Sequence, residues 1–233
     1  MIELLTLEKA VLGVHFEKGF LYWDNCGKIW RDIVAKYPEL EADSVSTEGA
    51  QLSIGDESLS IKFNTKSINV SQDYPANLNN FGKFINDAVH LISNYLEIKS
   101  FSRIGNRFIY ILPVDNLNEV LKLFKKTGFF NIPTEKLAKF GKSISEPSLR
   151  FIVNEDEDFM NIINLKYMAR TVVLKVPKPL KLDTSKFIST GLSIDIDRIT
   201  VKPVDLSILD FEEYVRVNSR KVGLLIEDLF MKE

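Results

Sequence analysis

Residues 50–72 read AQLSIGDESLSIKFNTKSINVSQ, and their apolar residues fall on alternate positions: Leu52 and Ile54, then Leu59, Ile61 and Phe63, then Ile68 and Val70. A period of two is the mark of strands with one buried face. Gly55-Asp56 and Asn64-Thr65 separate the three runs, and both are turn-forming pairs. The stretch therefore predicts a three-stranded antiparallel meander with one wet face.

Working outward, the period changes to that of helices. Downstream, LNNFGKFINDAVHLISNYLEIK (78–99) carries Phe81, Phe84, Ile85, Ala88, Leu91, Ile92 and Tyr95 as one apolar stripe. Upstream, FLYWDNCGKIWRDIVAKYP (20–38) repeats Trp23, Cys26, Trp30, Ile33, Val34 and Tyr37 at spacings of three and four, and Pro38 ends the segment. That spacing predicts a helix burying both tryptophans and the thiol. KAVLGVHFE (9–17) alternates as a first strand, and FSRIGNRFIYILP (101–113) reads as a strand after the second helix.

The second half repeats this mixture. DNLNEVLKLFKKTG (115–128) predicts a helix with Asp115 as its N-cap and Gly128 as its stop. SLRFIV (148–153), FMNIINLKYM (159–168), RTVVLKV (170–176) and GLSIDIDRITV (191–201) predict four strands, with KVPKPLKLDTSK (175–186) as a proline-containing connector. A last helix is expected over 206–231, with Ile208, Phe211, Val215, Val222, Leu225 and Leu229 on one face. Strands in runs and helices in singles point to α+β with antiparallel sheet. The expected arrangement is two lobes of antiparallel sheet packed with long amphipathic helices, 1–114 and 115–233, with one continuous domain as the alternative.

The chain has 233 residues, 45% apolar and 27% charged, enough for a substantial core. A net charge of −2 gives the whole chain no electrostatic footprint for nucleic acid. The single cysteine, Cys26, allows neither an internal disulfide nor a cysteine metal cluster. MIELLTLEKAVLGVHFEKG (1–19) lacks the basic segment and apolar core of a secretory signal, and no run of about 20 apolar residues occurs, so a cytoplasmic protein without membrane association is expected. No glycine-rich phosphate-binding loop occurs, and His15 and His90 stand alone, without metal-ligand spacing or a neighbouring nucleophile.

Two constellations remain. Arg103, Gly105 and Arg107 alternate onto one strand face, which puts the guanidinium groups about 13 Å apart with no side chain between them. They predict either an anion-binding groove, because planar guanidinium forks suit carboxylate and phosphate, or a pair of arginines each matched to a neighbouring carboxylate. Arg107, next to the apolar Ile109–Ile111 end, is expected to be structural, and Arg103 to be left for a ligand. In SIDIDR (193–198), Ser193, Asp195 and Asp197 share a face, and the two carboxylates are weak candidates for a divalent metal; a solvated strand face is the competing reading. Arg198 falls on the apolar side of this strand, which predicts a bulge or strand end there. NEDED (154–158) reads as a solvated turn. Lysines in KLFKKTG (122–128), KLAKFGK (136–142) and 175–186 read as solvated surface or, if they converge, as a basic patch.

In RIGNRFIYILP (103–113), Arg103, Asn106, Arg107 and Pro113 resemble the signature of a sporadically distributed family of uncharacterised bacterial and archaeal proteins: arginine, aromatic, isoleucine, asparagine, arginine, then proline shortly after. Here Ile104 stands for the aromatic and Gly105 for the isoleucine. Tyr74, Phe81 and Phe84 upstream, and LSIDIDRITV (192–201) and LIEDLF (225–230) downstream, resemble the rest of the family pattern. The resemblance implies a prokaryotic member of an unassigned family and supplies no activity or catalytic residue; its patchy distribution fits mobile or defence-linked genes. The expectation is a non-enzymatic binding or regulatory module without cofactor, engaging a protein partner, a second copy of itself or an anionic ligand. The alternative is a nucleic-acid-binding or processing factor, linked to defence against foreign genetic elements.

Overall fold

The structure is a computed structural model that describes residues 5–17, 19–54, 58–129, 134–137, 139, 141, 144–173 and 186–230, with the side chains of 170–173 and 186–189 outside that description. The connector at 175–185 and part of the lysine-bearing 136–142 segment therefore lie outside the described residues.

One nine-stranded sheet organises the chain. Its strands are β1 (Thr6–His15), β2 (Glu41–Val45), β3 (Ala50–Ser53), β4 (Leu59–Phe63), β5 (Ser67–Asp73), β7 (Arg103–Pro113), β8 (Ser148–Asn154), β9 (Phe159–Val173) and β10 (Lys186–Thr200). They are ordered β2-β3-β4-β5-β1-β7-β10-β9-β8, and every neighbouring pair is antiparallel. The chain is thus α+β with an antiparallel sheet, and the meander read from 50–72 is β3, β4 and β5. The expected boundary at 114/115 falls at the end of β7, which is hydrogen-bonded to β1 on one side and to β10 on the other. Backbone pairing therefore runs unbroken from the first half of the sequence into the second. Two short strands, β6 (Ser100–Phe101) and β11 (Val204–Asp205), form a separate pair.

Alternation divides the sheet into two faces. Ala10, Leu12 and Val14, Ile104 and Phe108, and Ile194 and Ile196 point inward and are fully buried. They share one cluster with residues of α1 (Tyr22–Lys36), α2 (Leu78–Leu96), α3 (Leu117–Lys126) and α5 (Phe211–Phe230). A further short helix, α4, spans Thr134–Leu137. Each fully buried Leu, Ile or Phe contributes roughly 1.5–3 kcal/mol, so this single face carries the core. Asn77 caps α2 by accepting from Asn79 N at 2.8 Å, and Asn116, not Asp115, caps α3 by accepting from the amides of Asn118 and Glu119. Gly128 follows α3 with φ of 73°, a left-handed conformation that glycine adopts without strain.

The structure differs from the sequence reading at five further places. The helix α1 buries Tyr22, Ile29 and Ile33, whereas Trp23 is 60% exposed and Trp30 39% exposed. Trp23 Nε1 donates to Thr47 O at 3.0 Å, which satisfies the indole at the surface. FMNIINLKYM and RTVV are one strand, β9, not two. The strand β10 keeps register with both neighbours through Arg198, so there is no bulge and Arg198 enters the core. The edge strand β2 is read nowhere in the sequence; all five of its residues are exposed. Finally, Ile208 lies outside α5, in a 3-10 turn (Leu206–Ile208), and is exposed.

Candidate functional site

The side chains that carry charge at the centre of the molecule lie on the outward face of β1, β7 and β10. Along β7, Arg103, Gly105 and Arg107 alternate outward, opposite His15, Gly13 and Val11 of β1. On the other flank, Asp197 stands opposite Arg107, and Ile199 opposite Gly105. The two constellations read separately from the sequence, RIGNR and SIDIDR, are therefore adjacent rows of one surface.

Their pairing is diagonal. Arg107 does not bond the aspartate directly across from it; Nε and Nη2 donate to the two carboxylate oxygens of Asp195, each at 2.7 Å. A long side chain leans along the strand and reaches the diagonal neighbour, and the bidentate fork fixes it there. Asn164 Nδ2 adds a third donor to Asp195 at 3.3 Å. Asp197 has no such partner: Arg103 Nη2 stands 3.8 Å from its Oδ2, beyond hydrogen-bond length. Asp197 instead lies over Gly105, where Oδ1 is 3.1 Å from the position a Cβ would take.

Gly13 and Gly105 face each other across β1 and β7, so two neighbouring outward positions carry no side chain and form a shallow trough. Asn69 leans into it from β5, its Oδ1 2.8 Å from where a Gly13 Cβ would be. His15 and Arg103 stand at one end of the trough and Arg107 at the other. The floor of the expected groove is thus not empty at Gly105; the Asp197 carboxylate occupies it. Burial holds the Asp197 carboxyl above its ordinary value, against the opposing pull of Arg103 and Arg107, and the Asp195 charge adds to the rise. Burial, then the Arg103 charge, holds His15 below its ordinary value. The bonds it donates to Asp195 raise the Arg107 guanidinium above its usual range.

The weak metal candidates Asp195 and Asp197 lie in the following arrangement. Asp195 is committed to Arg107, Asp197 lies between two guanidinium groups, and among the described residues there is no group of three or more His, Cys, Asp or Glu placed to hold a metal. His90 sits on α2 with its ring 5.8 Å from that of Phe211, on the opposite side of the sheet from His15. Cys26 is half-buried on α1.

A second polar cluster lies inside the core face. Arg198, 2% exposed, donates to Glu155 through Nε at 2.7 Å and Nη2 at 2.9 Å, and through Nη1 to Asn218 of α5. Its guanidinium carbon lies 3.4 Å from the centre of the Phe159 ring. Lys221 Nζ and Asn161 Nδ2 also donate to Glu155, at 3.1 and 3.2 Å. These bonds, that from Arg198 first, bring the Glu155 carboxyl down to about 2. Glu155 belongs to NEDED, so one residue of that turn is a core ligand and the rest is solvated. Asn106, fully buried beside Arg198, donates to Val11 O at 3.1 Å. The signal that could have located the cluster was Arg198 itself, a cation in the apolar phase of a strand, which needs a buried partner.

No model of a protein family matches the chain, and a search of curated proteins finds no match. No described helix is long and apolar enough to cross a membrane.

Proposed function

We propose that the chain is a non-enzymatic binding module whose outward sheet face receives an anionic group, from a small ligand or a protein partner, at Arg103. The observation that carries the reading is the contrast between the two arginines. Arg107 spends two donors on Asp195, whereas Arg103, with 46% of its side chain exposed, donates no hydrogen bond among the described residues. A half-exposed guanidinium with unused donors suits carboxylate or phosphate. With no side chain at Gly13 or Gly105, this part of the face is shallow, and Asn69 leans over the first glycine and Asp197 over the second.

The second reading, nucleic-acid binding, is favoured by further cations on the same face: the register puts Lys62, Arg150 and Lys166 outward as well. Against it, the outward positions of β1, β5, β7, β9 and β10 whose side chains are described include no Phe, Tyr or Trp on which a base could stack. Membership of the family suggested by RIGNR belongs to the proposal too. What supports it is that the signature residues share β7, where Arg107 and Asn106 tie that strand to β10 and β1. The test is titration of the isotope-labelled full chain with sodium acetate and with sodium sulfate. The amides of Gly13 and Gly105 should shift in the wild type and stay fixed in Arg103→Ala. Equal shifts in both proteins would overturn the reading, and purification with bound nucleic acid, seen as a raised absorbance ratio, would favour the second.

A further inference from the structure

Asp197 occupies the place where an anion would contact Arg103. Its neighbour Asp195 is fully used, by both arms of Arg107 and by Asn164. Asp197 is not: it lies mostly screened from solvent, 3.8 Å from the Arg103 guanidinium, with no short bond to it. Glycine at 105 gives it room there, since a Cβ would stand 3.1 Å from its Oδ1 and press on it. The strand thus removes one side chain to admit a carboxylate to the floor of the trough, and leaves that carboxylate loosely held.

We infer that Asp197 is a resident competitor for the anion site, so that a ligand anion binds Arg103 only when Asp197 swings off Gly105 or takes up a proton. This rests on the reading that Arg103 receives an anion and adds how that site is regulated. Two like charges held at one guanidinium repel each other, which favours neutralising or displacing one of them. Binding is therefore coupled to proton uptake, and affinity rises as the pH falls. The upward displacement of the Asp197 titration by burial supports this. The charged and titratable groups around Asp197 are Arg103 and Arg107 on β7, Asp195 on its own strand and His15 on β1. On β9, the uncharged Ile162 is directly across from it. His15 gains charge in the same pH direction, so its contribution has to be separated from that of Asp197.

The probe is sulfate, a dianion that does not itself titrate between pH 4.5 and 8, added to the full chain at constant ionic strength and read from the Gly13 and Gly105 amides. In the wild type the dissociation constant should rise as the pH rises. Asp197→Asn should bind sulfate roughly tenfold more tightly than wild type at pH 7.5, the equivalent of one pKa unit of interaction, with little remaining pH dependence. His15→Asn should keep the dependence of the wild type. If Asp197→Asn binds no more tightly while Arg103→Ala abolishes binding, the competitor is overturned and the anion site stands. If Arg103→Ala leaves the wild-type response intact, or no protein responds to sulfate, the site reading fails and takes the competitor with it. Asp197→Ser, which removes the charge with a smaller side chain, repeats the comparison should the asparagine variant fold poorly.

Discussion

Glu155 reaches back from the turn between β8 and β9 and grips the buried guanidinium of Arg198 with both carboxylate oxygens, at 2.7 and 2.9 Å. The pair joins a surface turn to the centre of the core, and Asn218 carries the contact on to α5. Its loss would leave a cation buried without its counter-charge, and breaking such a pair costs about 3–5 kcal/mol. Glu155→Gln should therefore lower the urea midpoint markedly at pH 7.

The same pair sets an acid limit. The Glu155 carboxyl is brought down to about 2, whereas in the unfolded chain it titrates near the ordinary glutamate value of about 4.3. A carboxyl whose folded value is depressed contributes stability that is fully present above the unfolded value and is lost as the pH falls through the folded one. Wild-type stability should fall between about pH 4.5 and 2, and Glu155→Gln should be flatter across that window. Parallel curves for the two proteins would show that other groups govern acid unfolding.

The two arginines of RIGNR should separate in stability. Arg107→Ala strands Asp195, whose side chain is only 12% exposed, with Asn164 as its remaining donor. Because Arg107 is itself half-exposed, the expected loss is about 1.5–3 kcal/mol, the range for hydrogen bonds to charged groups, and below that for a fully buried pair. Arg103→Ala removes no side-chain hydrogen bond among the described residues and should stay within about 0.5 kcal/mol of wild type. Denaturant midpoints of the two variants decide this, and equal losses would contradict the asymmetry seen in the geometry.

What the sequence made legible, and what it did not, follows from how far apart the determining residues lie. The alternation in 50–72 and the stripe from Phe81 onward report local structure, and β3 to β5 and α2 follow from them directly. In α1, Tyr22, Cys26, Ile29 and Ile33 make as good a stripe as Trp23, Cys26, Trp30 and Ile33, and hydrophobicity alone chose the wrong one. The indoles are tolerated outside because an amphipathic ring can face water while its N–H finds an acceptor, here Thr47 O. Strand β2 has neither alternation nor β-branched content until Val45, and a shift in register between Ala42 and Ser44 breaks its ladder. The Arg107–Asp195 pair spans 88 residues and the Arg198–Glu155 pair 43, distances at which spacing carries no information. Which carboxylate each arginine takes is decided by strand order, and strand order is a property of the whole sheet.

The exposed indoles give a direct optical check. Trp23 and Trp30 are the two tryptophans of the chain, and both face solvent at least in part. Native fluorescence should be red-shifted for a folded protein and readily quenched by acrylamide. Unfolding in urea should move the emission maximum only slightly. A blue-shifted native spectrum with strong protection from quencher would indicate that α1 is covered in solution.

Two glycines inside helices should respond to alanine with opposite signs. Gly82 on α2 lies against the first turn of α5: a Cβ there would stand 3.0 Å from Glu212 Cα and 3.4 Å from Glu212 O. Those are backbone atoms and cannot rotate away. Phe211, just before them, is fully buried, and its amide donates to Asn86 Oδ1 at 3.1 Å, so the start of α5 is fixed to the helix that would push on it. At Gly223, within α5 itself, a Cβ would meet nothing within 4 Å. Alanine improves intrinsic helix propensity by about 0.8–1.0 kcal/mol at either site. At Gly223 that gain should appear nearly whole, as a higher urea midpoint. At Gly82 it is opposed by a clash that must be relieved by separating two packed helices, and overpacking of this kind costs typically 1–3 kcal/mol. Gly82→Ala should therefore be neutral to destabilising by about 2 kcal/mol, while Gly223→Ala stabilises. A Gly82→Ala variant as stable as Gly223→Ala would mean that α2 and α5 can move apart at their closest approach without losing the packing around Phe211.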